Sequence, residues 1–146
     1  MNLGINNNIA LITGAGSGIG ASCASVFSGA GANLVLVDKQ FGDQNSKSKF
    51  KQSEVDYFTL DITSENDVKS LIETVTNKYG RIDYLINSAG IYREKSLIDL
   101  EISDWNKMLD VNLLGTFLVC KYGIPALEKS NNGSIKKSTR IYFKFI

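Results

Sequence analysis

Ile9-Ala10-Leu11-Ile12-Thr13-Gly14-Ala15-Gly16-Ser17-Gly18-Ile19-Gly20 is the stretch that decides how the rest of this chain is read. Ile9 to Ile12 form a continuous apolar run, the pattern of a strand buried on both faces. The run enters a turn that carries glycine at 14, 16, 18 and 20. Glycines in such a turn let the backbone approach a pyrophosphate closely. A helix starting at Gly18 adds unpaired N–H groups and the positive end of its dipole. The spacing is Gly-x-x-x-Gly-x-Gly over Gly14, Gly18 and Gly20, because Ile19 stands where Gly-x-Gly-x-x-Gly would place its last glycine. No Lys-Ser or Lys-Thr pair follows, so a nucleoside-triphosphate loop is excluded. A tight strand-to-helix turn with no ligand would use the same glycines.

Working outward, Ile19, Cys23, Val26, Phe27 and Ala30 recur at helical spacing and predict a one-sided helix ending near Gly29 and Gly31. Leu34 to Val37 reads as a second buried strand ended by Asp38. Asp38 follows Gly20 by eighteen residues, close to the ~20 at which an acid meets an adenosine ribose. A carboxylate there accepts from both ribose hydroxyls and repels a 2′-phosphate, which favours NAD over NADP. Lys39 next door pulls the other way, since a cation could partner that phosphate. A strand-end turn residue is the plainer account of Asp38. Methyltransferases that use S-adenosylmethionine share a glycine-rich turn and a ribose-binding acid, so this pair alone does not separate the two.

Lys39 to Ser53 is polar and lysine-rich, and reads as a solvated loop or a poor helix. Val55 to Leu60 is a third strand, followed by Asp61-Ile62-Thr63. Ser64 with Asp67 resembles a capping box. Val68, Leu71, Ile72, Val75 and Tyr79 mark one face of a helix closed at Gly80. Ile82 to Ile86 is a fourth strand that ends in Asn87-Ser88-Ala89-Gly90. Trp105, Met108, Leu109, Asn112, Leu113, Thr116, Phe117 and Cys120 lie on one face of a long helix. Val111, Leu114, Leu118 and Val119 make its other side apolar too. Such a helix is either sandwiched in a core or used at a subunit contact. Asn112 on that stripe must find partners, or cost about 1–3 kcal/mol for each stranded group. A satisfied core Asn that pins the helix is one way to meet that demand. Strand and helix alternate throughout, which predicts an α/β, doubly wound parallel sheet of Rossmann type.

Composition narrows the function. The 146 residues are 43% hydrophobic and 21% charged, the balance of one ordinary globular domain. Sixteen basic against fifteen acidic residues leave a net charge of +1, which argues against nucleic acid or an acidic membrane as partner. With no His in the chain, His-based metal sites and Ser-His or Cys-His catalysis are excluded. Cys23 and Cys120 have no metal-ligand spacing, so no metal site is expected. Their apolar surroundings predict buried, inert thiols. No secretory signal and no apolar run of ~20 residues is present, which leads to the expectation of a cytoplasmic location.

Four pieces in register carry a resemblance: Thr13 to Gly20, Asp61 after the third strand, Asn87 to Gly90 after the fourth, and Val111-Asn112 in the long helix. Over residues 9 to 135 the chain resembles the short-chain dehydrogenase/reductase family, with Ser88 in place of the usual second Asn of Asn-Asn-Ala-Gly. The resemblance implies an NAD(P)-dependent oxidoreductase acting on an alcohol or ketone. It implies a pyrophosphate held by Gly14, Gly16, Ser17, Gly18, Ile19 and Gly20, and a ribose held by Asp38. Asp61 would take the adenine amino group with Ile62 packed nearby, although either could serve a simple turn. Asn87, Ala89 and Gly90 would line the cofactor, and Asn112 would be the catalytic residue present, orienting a water and a lysine in a proton relay. One side of the 104–120 helix resembles the family's subunit interface, so a homo-oligomer is expected there.

The family's catalytic Ser and its Tyr-x-x-x-Lys are a different matter. None of Tyr57, Tyr79, Tyr84, Tyr92, Tyr122 and Tyr142 has Lys four positions on. Up to Asn132 the chain has twelve basic and fifteen acidic residues; from Gly133 it has Lys136, Lys137, Arg140 and Lys144 and no acid. Two lysines directly after Ile135 do not suit a strand buried on both faces. Residues 1–135 are thus expected to be the nucleotide-binding half and 136–146 a divergent tail, in a C-terminally incomplete product that is inactive alone. A non-catalytic nucleotide-binding protein or an unstable remnant is the alternative.

Overall fold

The computed structural model describes residues 4–42, 50 and 53–138. Five parallel strands form one sheet in the order β3-β2-β1-β4-β5. They are β1 (Ile9–Thr13), β2 (Asn33–Asp38), β3 (Val55–Thr59), β4 (Tyr84–Asn87) and β5 (Ser134–Lys137). Helices α1 (Gly18–Gly29), α2 (Glu65–Tyr79), α3 (Ile102–Leu109) and α4 (Thr116–Leu127) join them. The order reverses between β1 and β4, and the crevice at the carboxyl ends of these two strands is where such sheets receive ligands.

Alternation along each strand divides the core into two layers. Ile9, Leu11, Val35, Val37 and Leu85 pack with Val68, Leu71, Val75, Leu118 and Val119 on one face. Ala10, Ile12, Leu34, Leu36 and Ile86 pack with Ala24 on the other. Phe50 belongs to this second layer and is buried, although the sequence around it reads as a solvated loop. Residues 43–49 and 51–52 of that loop lie outside the described residues.

Helix α2 forms where the sequence places it. The Ser64 hydroxyl accepts from the Asp67 N–H at 3.4 Å, and Gly80 closes the helix at φ +78° while donating to Thr76 O at 2.8 Å.

Helix α1 differs from expectation. Its inward side is Gly20, Ala24 and Ser28, whereas Ile19 and Val26 face outward. The start of α1 lies so close to the glycine turn that a Cβ at Gly20 would stand 2.1 Å from Gly14 O. Only small residues fit against the sheet there, and the larger apolar ones move to the flank.

The long helix is also rephased. Between α3 and α4 the chain makes a π-helical turn, Asp110–Gly115, which adds about a residue to that turn. Met108, Asn112, Leu118 and Val119 are buried, while Leu113 (61% exposed) and Phe117 (56% exposed) face outward, so the face that the sequence groups with Met108 and Asn112 is split, although one of the two apolar sides is exposed as a contact surface would be. With Ile102, Trp105, Leu114 and Ile124 they make an exposed apolar series. No helix among the described residues is long and apolar enough to cross a membrane.

The first two residues of the expected tail, Lys136 and Lys137, pair with Ile86 and Asn87 as part of β5. All four β5 residues are exposed, and among the described residues β5 is the edge of the sheet, where lysines are tolerated and charge discourages mispairing. Residues 139–146, including the apolar run from Ile141, lie outside the described residues. Both thiols are half-buried rather than buried.

Candidate active site

The carboxyl ends of β1, β2 and β4 open onto a cavity of about 670 Å³, a size that suits a small-molecule cofactor. Gly14, Ser17, Gly18, Ile19, Asp38, Asp61, Ile62, Ala89 and Gly90 line it, nine of the residues expected from sequence. Gly16, Gly20, Asn87 and Asn112 are not among the residues that line it.

Each glycine of the turn has its own reason. Gly14 adopts φ +67°, and a Cβ there would lie 2.6 Å from Ala89 Cα and N. The first turn and the end of β4 therefore touch through a missing side chain. Gly16 donates its N–H to Asp38 Oδ2 at 2.8 Å, and a Cβ on it would strike that carboxylate and Gln40 O. Gly18, at φ +53°, has nothing within 4 Å of an added Cβ. Gly18 thus brings the start of α1 to the cavity without a side chain of its own, as close approach of a phosphate to a helix N-terminus requires.

Asp38 also accepts from Gln40 N at 3.2 Å, so each oxygen holds one backbone donor and keeps a lone pair for another. Asp61 accepts from Thr63 N at 3.0 Å and pairs with Lys39 at 2.6 Å. Burial pulls its carboxyl upward, but hydrogen bonds from Lys39 and Thr63 outweigh that and hold it below the usual carboxylate range. The lysine that sequence reading set beside the ribose acid is thus tied to the neighbouring acid instead. Ile62 is buried against the π-helical turn, where a Cβ on Gly115 would meet its Cδ1 at 2.6 Å.

Asn112, 2% exposed, has both amide atoms bonded: Oδ1 accepts from Ile91 N at 2.8 Å and Nδ2 donates to Ile91 O at 2.9 Å. This two-point clasp fixes the segment after Gly90 that forms the cavity wall. Asn87, 1% exposed, donates to Cys120 Sγ at 3.5 Å, and its Oδ1 has no partner among the described residues.

Several contributors escaped sequence reading. Thr13 Oγ1 accepts from Ser88 N and Ala89 N, both at 3.2 Å, and so bolts β1 to the end of β4. Arg93 and Lys107 line the cavity, and Lys137 donates to Asn112 O at 2.8 Å. Thr13 could have been suspected as the polar end of a buried run; the cations carry no local signal, because the loop after β4 brings in Arg93, α3 brings in Lys107 and the register of β5 brings in Lys137.

A family model described as short chain dehydrogenase matches residues 8–137. The 3-oxoacyl-[acyl-carrier-protein] reductase of Thermotoga maritima is 38% identical over 136 residues, covering 90% of this chain and 54% of that protein. The mitochondrial borneol dehydrogenase of Lavandula x intermedia is 35% identical over 133 residues, covering 90% and 51%. The aldohexose dehydrogenase of Thermoplasma acidophilum superposes with a TM-score of 0.81 at 27% identity, covering 92% of this chain and 49% of that one. The chain spans about half the length of these relatives. The match separates the dehydrogenase reading from the methyltransferase one, because it runs unbroken from the glycine turn through Asn112 to the end of β5. This chain belongs to the short-chain dehydrogenase family.

Proposed function

We propose that these residues form the dinucleotide-binding part of an oxidoreductase that moves hydride between a nicotinamide cofactor and an alcohol or ketone, with NAD preferred over NADP. The observation that carries the preference is the Asp38 carboxylate, held by the Gly16 N–H at 2.8 Å where it meets the cavity. The residues fit the cofactor: the glycine turn leaves a cradle for the pyrophosphate, Asp38 has lone pairs for the ribose hydroxyls, and Asp61 with Ile62 offers an acceptor and an apolar wall to adenine. Ala89 and Gly90 keep the nicotinamide end open, and Asn112 holds that wall through Ile91. When bound, the cofactor supplies the ring that gives or takes hydride. Relatives named for 3-oxoacyl and borneol substrates support a carbonyl or alcohol as the substrate class.

Calorimetry with NAD and NADP tests this reading. NAD is expected to bind at least about tenfold more tightly, and Asp38→Ala to lose about 10–100-fold of that affinity, the worth of hydrogen bonds to a charged acceptor. Equal affinities in the wild type would sink the NAD preference and implicate Lys39. The 146 residues by themselves are expected to bind without turning over a secondary alcohol, since no tyrosine here has Lys four positions on. Turnover that Asn112→Ala abolishes would instead mean that the catalytic group lies elsewhere in the chain.

The exposed series Leu113, Leu114, Phe117 and Ile124 supports association with a second copy through α3, the π-helical turn and α4. Light scattering on wild type and Phe117→Lys is expected to show association in the first and its loss in the second. A monomeric wild type would end this proposal.

A further inference from the structure

We propose that Asp61 is a specificity-determining residue, which holds Lys39 in an ion pair and so withholds that cation from the 2′-phosphate of NADP. The proposal rests on the dinucleotide reading above and gives the NAD preference a second source beside Asp38. Lys39 and Asp61 both line the cavity, and Lys39 Nζ lies 2.6 Å from Asp61 Oδ2. Strand order explains how they meet. β2 and β3 are neighbours, and Leu60 N donates to Asp38 O at 3.0 Å, which sets the residues just past the two strands side by side.

The two partners are not held alike. Asp61 Oδ1 accepts from Thr63 N at 3.0 Å, and Asp61 O accepts from Ser64 N at 3.0 Å, so the turn before α2 fixes the carboxylate. Oδ2 is the oxygen turned to the lysine. The backbone of Lys39 is pinned too, because Asp38 ends β2 and Gln40 N donates to Asp38 Oδ1 at 3.2 Å. Its long side chain is 60% exposed, and among the described residues Asp61 carries the carboxylate within ion-pair distance of its Nζ. The lysine is therefore the partner that can move.

A 2′-phosphate that draws Lys39 away breaks the pair, and the turn keeps the acid from following. A 2′-hydroxyl leaves the pair intact. The two nucleotides thus meet the same residues but differ by one ion pair. Solvent exposure keeps that difference modest, because an exposed pair shifts an equilibrium by at most about fivefold. Arg93 and Lys107 line the same cavity and are the rival cations for an added phosphate. Arg93 is itself paired with Asp104 at 3.3 Å, which leaves Lys107 as the control.

The test is calorimetry with NAD and NADP on the wild type, Asp61→Asn, Lys39→Met and the double variant, each first shown to melt cooperatively. Asn keeps the side-chain shape and an oxygen for the Thr63 N–H, but not the charge. Asp61→Asn is expected to improve NADP affinity relative to NAD by about threefold to fivefold, the upper range for one exposed ion pair. In the Lys39→Met background the same substitution should shift that ratio by much less. An unshifted ratio would overturn the proposal, and so would an equal shift without Lys39, which would reduce Asp61 to plain charge repulsion. Cancellation of the gain by Lys107→Gln instead of Lys39→Met would overturn it as well. The two readings fail separately. No NAD binding by the wild type rejects the dinucleotide reading and this proposal with it, whereas NAD binding with an unshifted ratio rejects the role of Asp61 alone.

Discussion

Gly14→Ala is expected to destabilise the chain by about 2–5 kcal/mol and to abolish measurable nucleotide binding. The first contribution is the left-handed backbone at φ +67°, which costs a residue with a Cβ about 1–2 kcal/mol. The second is the overlap of that Cβ with Ala89 Cα and N at 2.6 Å, backbone atoms with no rotamer to retreat into, at about 1–3 kcal/mol. Any relief must part β1 from the end of β4, and so opens the Thr13 Oγ1 bonds to Ser88 N and Ala89 N. Gly18→Ala is the matched comparison. It also has positive φ, but nothing lies within 4 Å of its added Cβ, so it should lose only the backbone share. Urea denaturation of the two variants checks this, and equal losses would show that contact with Ala89 is not the constraint.

Asp83→Ala is expected to cost about 2–4 kcal/mol, the range for removing a charged acceptor and leaving the buried Ile9 N–H without its partner. Asp83 is 3% exposed; it accepts from Ile9 N at 2.8 Å, from Arg81 Nε at 3.0 Å and from the Ser130 hydroxyl. Its own backbone O accepts from Ser134 N at 2.9 Å. One residue therefore anchors the starts of β1 and β5 and the loop before β5. Burial pulls the Asp83 carboxyl upward, but bonds from Ser130, Ile9 N–H and Arg81 together outweigh it and leave it below the usual range. The sign follows from linkage. Because the folded value is the lower one, this stabilisation is complete above the unfolded Asp value of ~3.9 and is lost as pH falls through the folded value. Wild-type stability should fall below pH ~4 more steeply than that of Asp83→Asn. Parallel stability curves for the two proteins through that window would remove the ionised network from the account.

Much of the fold was legible because its signals are local. A continuous apolar run before glycines, the Ser64 cap and the Gly80 stop each depend on neighbours within a few positions. The site was legible where residue type alone restricts chemistry: glycines where backbone must come close, Asp38 at the end of β2, and a buried amide at Asn112. What could not be read depends on neighbours distant in sequence. The helical stripe of α1 pointed to Ile19 and Val26, yet the closeness of Gly20 to Gly14 O turned the small residues inward. The sequence puts Leu113 and Phe117 on one face of the long helix with Met108 and Asn112, and the structure parts them, because an even period cannot anticipate a π-helical turn.

By itself the sequence determined the class of fold, the position of the glycine turn and the residue types that line the cavity. These follow from periodicity, glycine steric freedom and the scarcity of reasons to bury a polar side chain. Only the tertiary structure decided that Lys39 pairs with Asp61, that Asn112 clasps Ile91, and that Lys136 and Lys137 join β5. The physical reason is the same in each case. An ion pair, an amide clasp and an edge strand are made by groups that register and packing bring together, and local pattern holds no record of which distant partner arrives.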